Sequence, residues 1–96
     1  MRRQDYINCD FVPVILTETI NRTFECNTLV FWNQGTQNVT IDGVYTLTPG
    51  QAYTYECYPG EMNIRAYDIV FTNDRLNGCK LVAIMKIYLS PNRINK

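Results

Sequence analysis

The stretch NQGTQNVTIDGVYTLTPGQAY, Asn33 to Tyr53, decides the fold class. Val39 and Ile41 alternate with Asn38, Thr40 and Asp42, the period of a strand with one covered face. Asp42-Gly43 follows. Both residue types accept the positive φ that a type I′ turn needs at its two central positions, so a two-residue hairpin is expected, with Ile41 facing Val44. The return strand, Val44 to Thr48, stops at Pro49-Gly50, where proline presets φ and glycine takes the positive φ of a type II turn. A third strand, Gln51 to Tyr58, runs to Pro59-Gly60. The expectation is a tight three-stranded meander.

Outward from this stretch the same punctuation continues. Gly35, Gly43, Gly50 and Gly60 are spaced by 8, 7 and 10 residues, the cadence of short strands in a sandwich or barrel. Upstream, TLVFWN from Thr28 to Asn33 is β-branched and aromatic, and its unbroken apolarity predicts a strand covered on both faces with Trp32 in the core. FVPVIL, Phe11 to Leu16, reads as extended, but Pro13 has no N–H for a ladder and places it at an edge or bulge. TETINRTFE, Thr17 to Glu25, is open between a strand and a short helical turn. Downstream, YDIVF from Tyr67 to Phe71 predicts a strand and TNDRLNG a polar loop. CKLVAIMKIYL then puts Leu81, Ala83, Met85, Ile87 and Leu89 on one face at period two, a strand with a core side.

With 96 residues the chain is one domain, 1–96, flanked by polar arms at about residues 1–5 and 90–96. The expected class is all-β: a single small antiparallel β-sandwich of seven or eight strands, with a partly open barrel as second choice. A domain this small buries only about 60 to 65% of its extended-chain surface, so association with itself or another protein would stabilise it.

Nine Lys and Arg balance nine Asp and Glu, and only Arg2-Arg3 places like charges side by side. No basic stripe is present to neutralise phosphates, so nucleic acid is not an expected ligand. The apolar run Phe11–Leu16 is too short to span a bilayer, and no membrane role is expected. Met1 and the lack of a leader pattern predict an unprocessed intracellular product. Cys9, Cys26, Cys57 and Cys79 allow three disulfide pairings but form no CxxC pair, so free thiols are favoured and structural zinc is not expected.

Catalytic groups are scarce. The chain has no histidine, and Ser90, its one serine, lacks a base and reads as the turn residue before Pro91. Asp42 with Glu56 or Glu61 could form a carboxylate pair of the glycosidase kind, but Asp42 is already accounted for by the turn. No nearby base is specified for a cysteine nucleophile. An enzyme is not expected, and neither a cofactor nor a metal. Tyr45, Tyr53, Tyr55 and Tyr58 cluster in the central stretch and raise a carbohydrate-binding module as an alternative, although packing against strand neighbours accounts for Tyr53 and Tyr55. The sequons at Asn21 and Asn38 fit chance.

The strings LVFWNQGTQNVTIDGVYTLTPGQAYTY, PGEMNIRAYDIVF and LVAIMKIYL together resemble small virion proteins of tailed bacteriophages of gut Bacteroidetes, including crAss-like phages. The matching positions are Asn33, Gly35, Thr36, Val39, Ile41, Asp42, Gly43, Leu47, Pro49, Gly50, Gln51, Tyr53, Gly60, Glu61, Leu81, Val82, Ile84, Lys86, Ile87 and Tyr88. The strings span roughly the last two thirds of the chain and leave the first 28 residues, those before Leu29, unmatched. The resemblance implies a non-enzymatic virion protein made in the host bacterial cytoplasm, foremost an auxiliary or decoration protein of the capsid bound to the major capsid protein. A tail or head-tail connector component is the alternative. The expected partner contacts are the arms, through Arg2, Arg3, Arg93, Ile94 and Lys96, together with β edges.

Overall fold

A computed structural model describes residues 8–73 and 77–88. Eight strands occur among them: β1 (Cys9–Leu16), β2 (Ile20–Cys26), β3 (Thr28–Asn33), β4 (Val39–Ile41), β5 (Tyr45–Leu47), β6 (Ala52–Tyr55), β7 (Asn63–Phe71) and β8 (Leu81–Tyr88). Every ladder is antiparallel. β4 pairs with β5, β3 with β6, β2 with β7 and β1 with β8, so the chain is one long hairpin whose apex is the Asp42-Gly43 turn. Rolling that hairpin sets β3 beside β8 and β4 beside β7. The product is two four-stranded sheets, ordered β1-β8-β3-β6 and β2-β7-β4-β5, which is the jelly-roll form of the β-sandwich.

Three local expectations change. The central stretch is not a meander. β6 leaves β5 and pairs with β3, and the type II turn at Pro49-Gly50 (Gly50 φ 90°) carries the chain from one sheet to the other. The anchor is Asn33. Its N–H donates to Gln51 O at 2.9 Å, and its carbonyl accepts from Gly50 N at 2.8 Å. Second, Asp42 and Gly43 have φ of 56° and 67° as the type I′ turn demands, yet Ile41 lies opposite Tyr45 and not Val44. Val44 closes the turn through N–H to Ile41 O at 3.0 Å and then bulges out, 69% exposed. The extra residue shifts the phase by one, turning Tyr45 and Leu47 inward where an unbulged hairpin would point them at water.

Third, β3 is covered on one face only. Leu29, Phe31 and Asn33 are buried, while Trp32 points outward at 42% exposure. As an interior strand β3 has hydrogen-bonded neighbours on both sides, but only the opposite sheet lies above it. The segment left open between helix and strand is β2, and β7 starts earlier than expected, at Asn63. Pro13 lies on β1, an edge strand paired with β8 alone.

The core lies between the sheets and is dominated by Phe24, Leu29, Phe31, Val39, Ile41, Tyr67, Ile69 and Leu81. Phe24, Phe31 and Tyr67 meet edge to face, with centroids 5.5 to 6.0 Å apart. Each large side chain fully buried this way contributes about 1.5–3 kcal/mol. Two buried asparagines sit among them, each fully paired. Asn27 donates to Tyr58 O and Glu61 O at 2.8 Å and accepts from Thr28 Oγ1 at 2.7 Å. Asn33 donates to Gln37 O and Leu47 O at 2.8 Å and accepts from Gly35 N at 3.0 Å.

Candidate functional site

The groups named for chemistry are dispersed by the fold. Asp42 is held at the hairpin apex, where its carboxylate accepts from Arg65 Nη2 and from Asp68 N. Glu56, Cys57, Tyr58, Pro59 and Glu61 line an open depression of about 520 Å³. Glu61 is partly engaged there, Oε1 accepting from Tyr58 N at 2.7 Å within the turn. None of the four cysteines is in a disulfide; Cys26 and Cys79 are buried, and Cys79 Sγ donates to Asn73 O at 3.5 Å. Burial first, and the neighbouring Cys57 second, push the Cys26 thiol up, which keeps it protonated and a poor nucleophile. Among the described residues no three His, Cys, Asp or Glu side chains gather as a metal would need, and no helix is long and apolar enough to cross a membrane.

The tyrosines close a seam. β5 and β6 are edge strands of different sheets, and Tyr45 from one stacks on Tyr53 from the other with centroids 4.2 Å apart. Tyr53 meets Tyr55 at 4.9 Å, and Tyr55 meets Tyr67 at 5.1 Å, so the row runs from the surface into the core. Tyr53 and Tyr55 therefore face inward, and one face of the Tyr53 ring is already taken. Burial first, and the Asp42 carboxylate second, push the Tyr55 phenol up to about 12. Its Oη is buried with no hydrogen-bond partner among the described residues.

The arm residues Arg2, Arg3, Arg93, Ile94 and Lys96 lie outside the described residues, as do Leu89 and Ser90. Their points of departure are defined. Cys9 at the start of β1 is registered with Tyr88 at the end of β8, so the two arms leave side by side from one end of the β1-β8-β3-β6 sheet. The β2–β3 junction lies at the same end, because Thr28 is registered with Lys86 and Asn27 N donates to Lys86 O. Asn27 in turn holds the Tyr58–Glu61 turn there.

The outer faces of the two sheets differ in kind. On the β2-β7-β4-β5 sheet the outward residues include Asn21, Thr23, Glu25, Asp68, Thr40 and Thr46, with Ile64 and Val70 scattered among them. On the β1-β8-β3-β6 sheet the register aligns Ile15, Val82, Trp32 and Ala52 in one row and Pro13, Ile84, Val30 and Thr54 in the next. A third row holds Phe11, Lys86 and Thr28. Phe11 and Ile15 are 61% and 60% exposed, whereas Val82 is recessed to 9% between Ile15 and Trp32. This apolar face is the candidate binding surface of the described residues. Sequence reading missed it because Phe11–Leu16 and Leu81–Tyr88 are apolar in both phases; the second phase was the available signal.

Comparison with family models, curated proteins and solved structures finds no match to the chain.

Proposed function

We propose that the chain is a non-enzymatic structural component of a bacteriophage virion, an auxiliary protein that decorates or cements the capsid by binding the major capsid protein. The observation that carries this reading is that both arms leave one end of the sheet whose outer face is apolar, so a partner can engage the face and the arms together. The sequence resemblance supplies the virion context, and jelly rolls are a recurrent architecture of capsid proteins. Fold alone does not set function, so the weight rests on the surface. Three of the four edges are poorly suited to strand addition: Pro13 gives β1 no N–H at its position, and β5 and β6 are short and sealed together by tyrosines, which leaves β2 as the open edge.

The test is mass spectrometry of purified particles, with copy number referenced to the major capsid protein. Comparable numbers support a decoration protein. A few copies per particle move the chain to the tail or the head-tail connector, and absence from the particle refutes the virion reading. Binding to isolated shells should fall strongly when residues 1–5 and 90–96 are deleted.

One observation favours a second reading. The exposed Trp32 ring on an apolar face could stack a sugar, in place of the inward Tyr53 and Tyr55. Glycan-array binding lost in Trp32→Ala would support it, and a blank array would remove it.

A further inference from the structure

We infer that the outer face of the β1-β8-β3-β6 sheet is covered by a second copy of this chain, stacked face to face about a two-fold axis running along the strands. This goes beyond the virion reading and does not depend on it; where both hold, the second copy takes the face and the capsid partner meets the pair elsewhere, through the arms. The argument starts from shape. Such an axis reverses strand order without reversing rows, so β8 faces the second copy's β3, and β1 faces its β6. The recessed Val82 then receives the second copy's protruding Trp32, Ile84 meets Val30, and the protruding Ile15 meets Ala52. In the first row large side chains oppose small or recessed ones, and in the next the half-buried Ile84 and Val30 meet as equals. A two-fold axis across the strands would instead press Val82 against Lys86 and Trp32 against Thr28, placing a charge over the most apolar row.

Area and charge agree on the occupant. Four strands about 4.8 Å apart and three outward rows give a face of roughly 400 Å². A standard interface takes about 800 Å² from each partner, so a face of this size makes a weak dimer that dissociates on dilution. Residues 1–7 and 89–96 carry Arg2, Arg3, Arg93 and Lys96 against Asp5 alone, and the chain as a whole is neutral, so the remainder is acidic. Asp10, Glu56 and Glu61 lie at the end of the sandwich from which the arms leave. An axis along the strands brings together the ends of the two copies at which Cys9 and Tyr88 lie, so the net positive charge of residues 1–7 and 89–96 attaches at the same end as the carboxylates of the other copy. Another protein would have to match this apolar relief and this charge; a second copy already does. Within the strands of this sheet Lys86 is the only charge on the outward face, and it opposes Thr28 in the stack, not its own counterpart.

Sedimentation velocity on the purified chain, without shells, tests the inference together with emission from Trp32, the one tryptophan. The expected result is a dimer whose emission shifts red on dilution as Trp32 returns to water. Ile15→Lys, at a position already exposed and so folded by far-UV circular dichroism, should weaken the dimer roughly 100-fold or more by burying an unpaired ammonium. Ala52→Glu alone should also weaken it, and Ile15→Lys with Ala52→Glu should restore most of the loss because the two positions meet across the interface. Deleting both arms should weaken the dimer without abolishing it. A monomer with concentration-independent emission overturns the inference, as does a dimer indifferent to Ile15→Lys or a double variant with no rescue. Shell occupancy plays no part in these readings, so failure of the virion role and failure of the dimer are separable.

Discussion

Replacing Asn33 tests how the sandwich holds its crossover. The side chain is fully buried and makes three hydrogen bonds, donating to Leu47 O and Gln37 O and accepting from Gly35 N. Asn33→Ala deletes all three and leaves two carbonyls and one N–H to find partners where water has little access. At about 1 kcal/mol per lost bond, plus part of the desolvation cost of the stranded groups, the loss should be about 3–5 kcal/mol. Against a total stability of about 5–14 kcal/mol for a domain this size, that is a large fraction. In thermal unfolding it corresponds to a fall in Tm of roughly 15–30 °C. Asn33→Asp separates hydrogen bonding from volume. The carboxylate is isosteric but acceptor-only, so it faces Leu47 O and Gln37 O without a proton to give. Its folded-state pKa must rise above the unfolded value of about 3.9, so the variant is least impaired below pH 4 and loses stability as pH climbs through the raised value. The assay is urea denaturation of wild type, Asn33→Ala and Asn33→Asp from pH 3 to 8. An Asn33→Ala loss below about 1 kcal/mol, or an Asn33→Asp deficit that does not grow with pH, would refute the reasoning.

Three other outcomes follow from the seam and the thiols. Tyr45→Ala should cost about 1–2 kcal/mol, from the lost stack on Tyr53 and the area it covers, measured by urea denaturation; an unchanged midpoint would mean the seam closes without it. Because the Tyr55 phenol is held up at about 12 in the fold, against about 10 in the unfolded chain, its contribution is present below pH 10 and lost as pH rises toward 12. The loss should be on the order of 1 kcal/mol after solvent screening of the partly exposed ring, and Tyr55→Phe should flatten it while stabilising the protein at neutral pH by relieving the unpaired Oη. With a thiol reagent under native conditions Cys9 should react first and Cys26 and Cys79 only on unfolding; early labelling of Cys26 would contradict its burial.

Much of the strand pattern was legible because turn chemistry is local. Asp42-Gly43, Pro49-Gly50 and Pro59-Gly60 mark their turns through the φ values each residue type accepts, and Pro13 marks an edge through its missing N–H. What local chemistry does not encode is the partner of a strand once a turn is over. Pro49-Gly50 fits a hairpin and a crossover equally well, and the choice falls to the Asn33 backbone, which holds Gly50 and Gln51 beside β3. The one-residue bulge at Val44 is likewise a tertiary decision, won by burying Leu47 and stacking Tyr45 on Tyr53. As for binding residues, the arms were named from polarity alone, and their shared point of departure follows only from the pairing of β1 with β8.

The misplaced burial of Trp32 leads to the same surface. A strand apolar in both phases implies cover on both faces, and TLVFWN, FVPVIL and LVAIMKIY all have that character. A two-layer sandwich provides one cover per sheet, so the outer face of the β1-β8-β3-β6 sheet lacks a layer, whereas its counterpart, threaded with Asn, Thr, Glu and Asp, has no need of one. Phe11, Ile15, Val30, Trp32, Val82 and Ile84 all lie on that one side of one sheet, and the second copy inferred above would supply the missing layer.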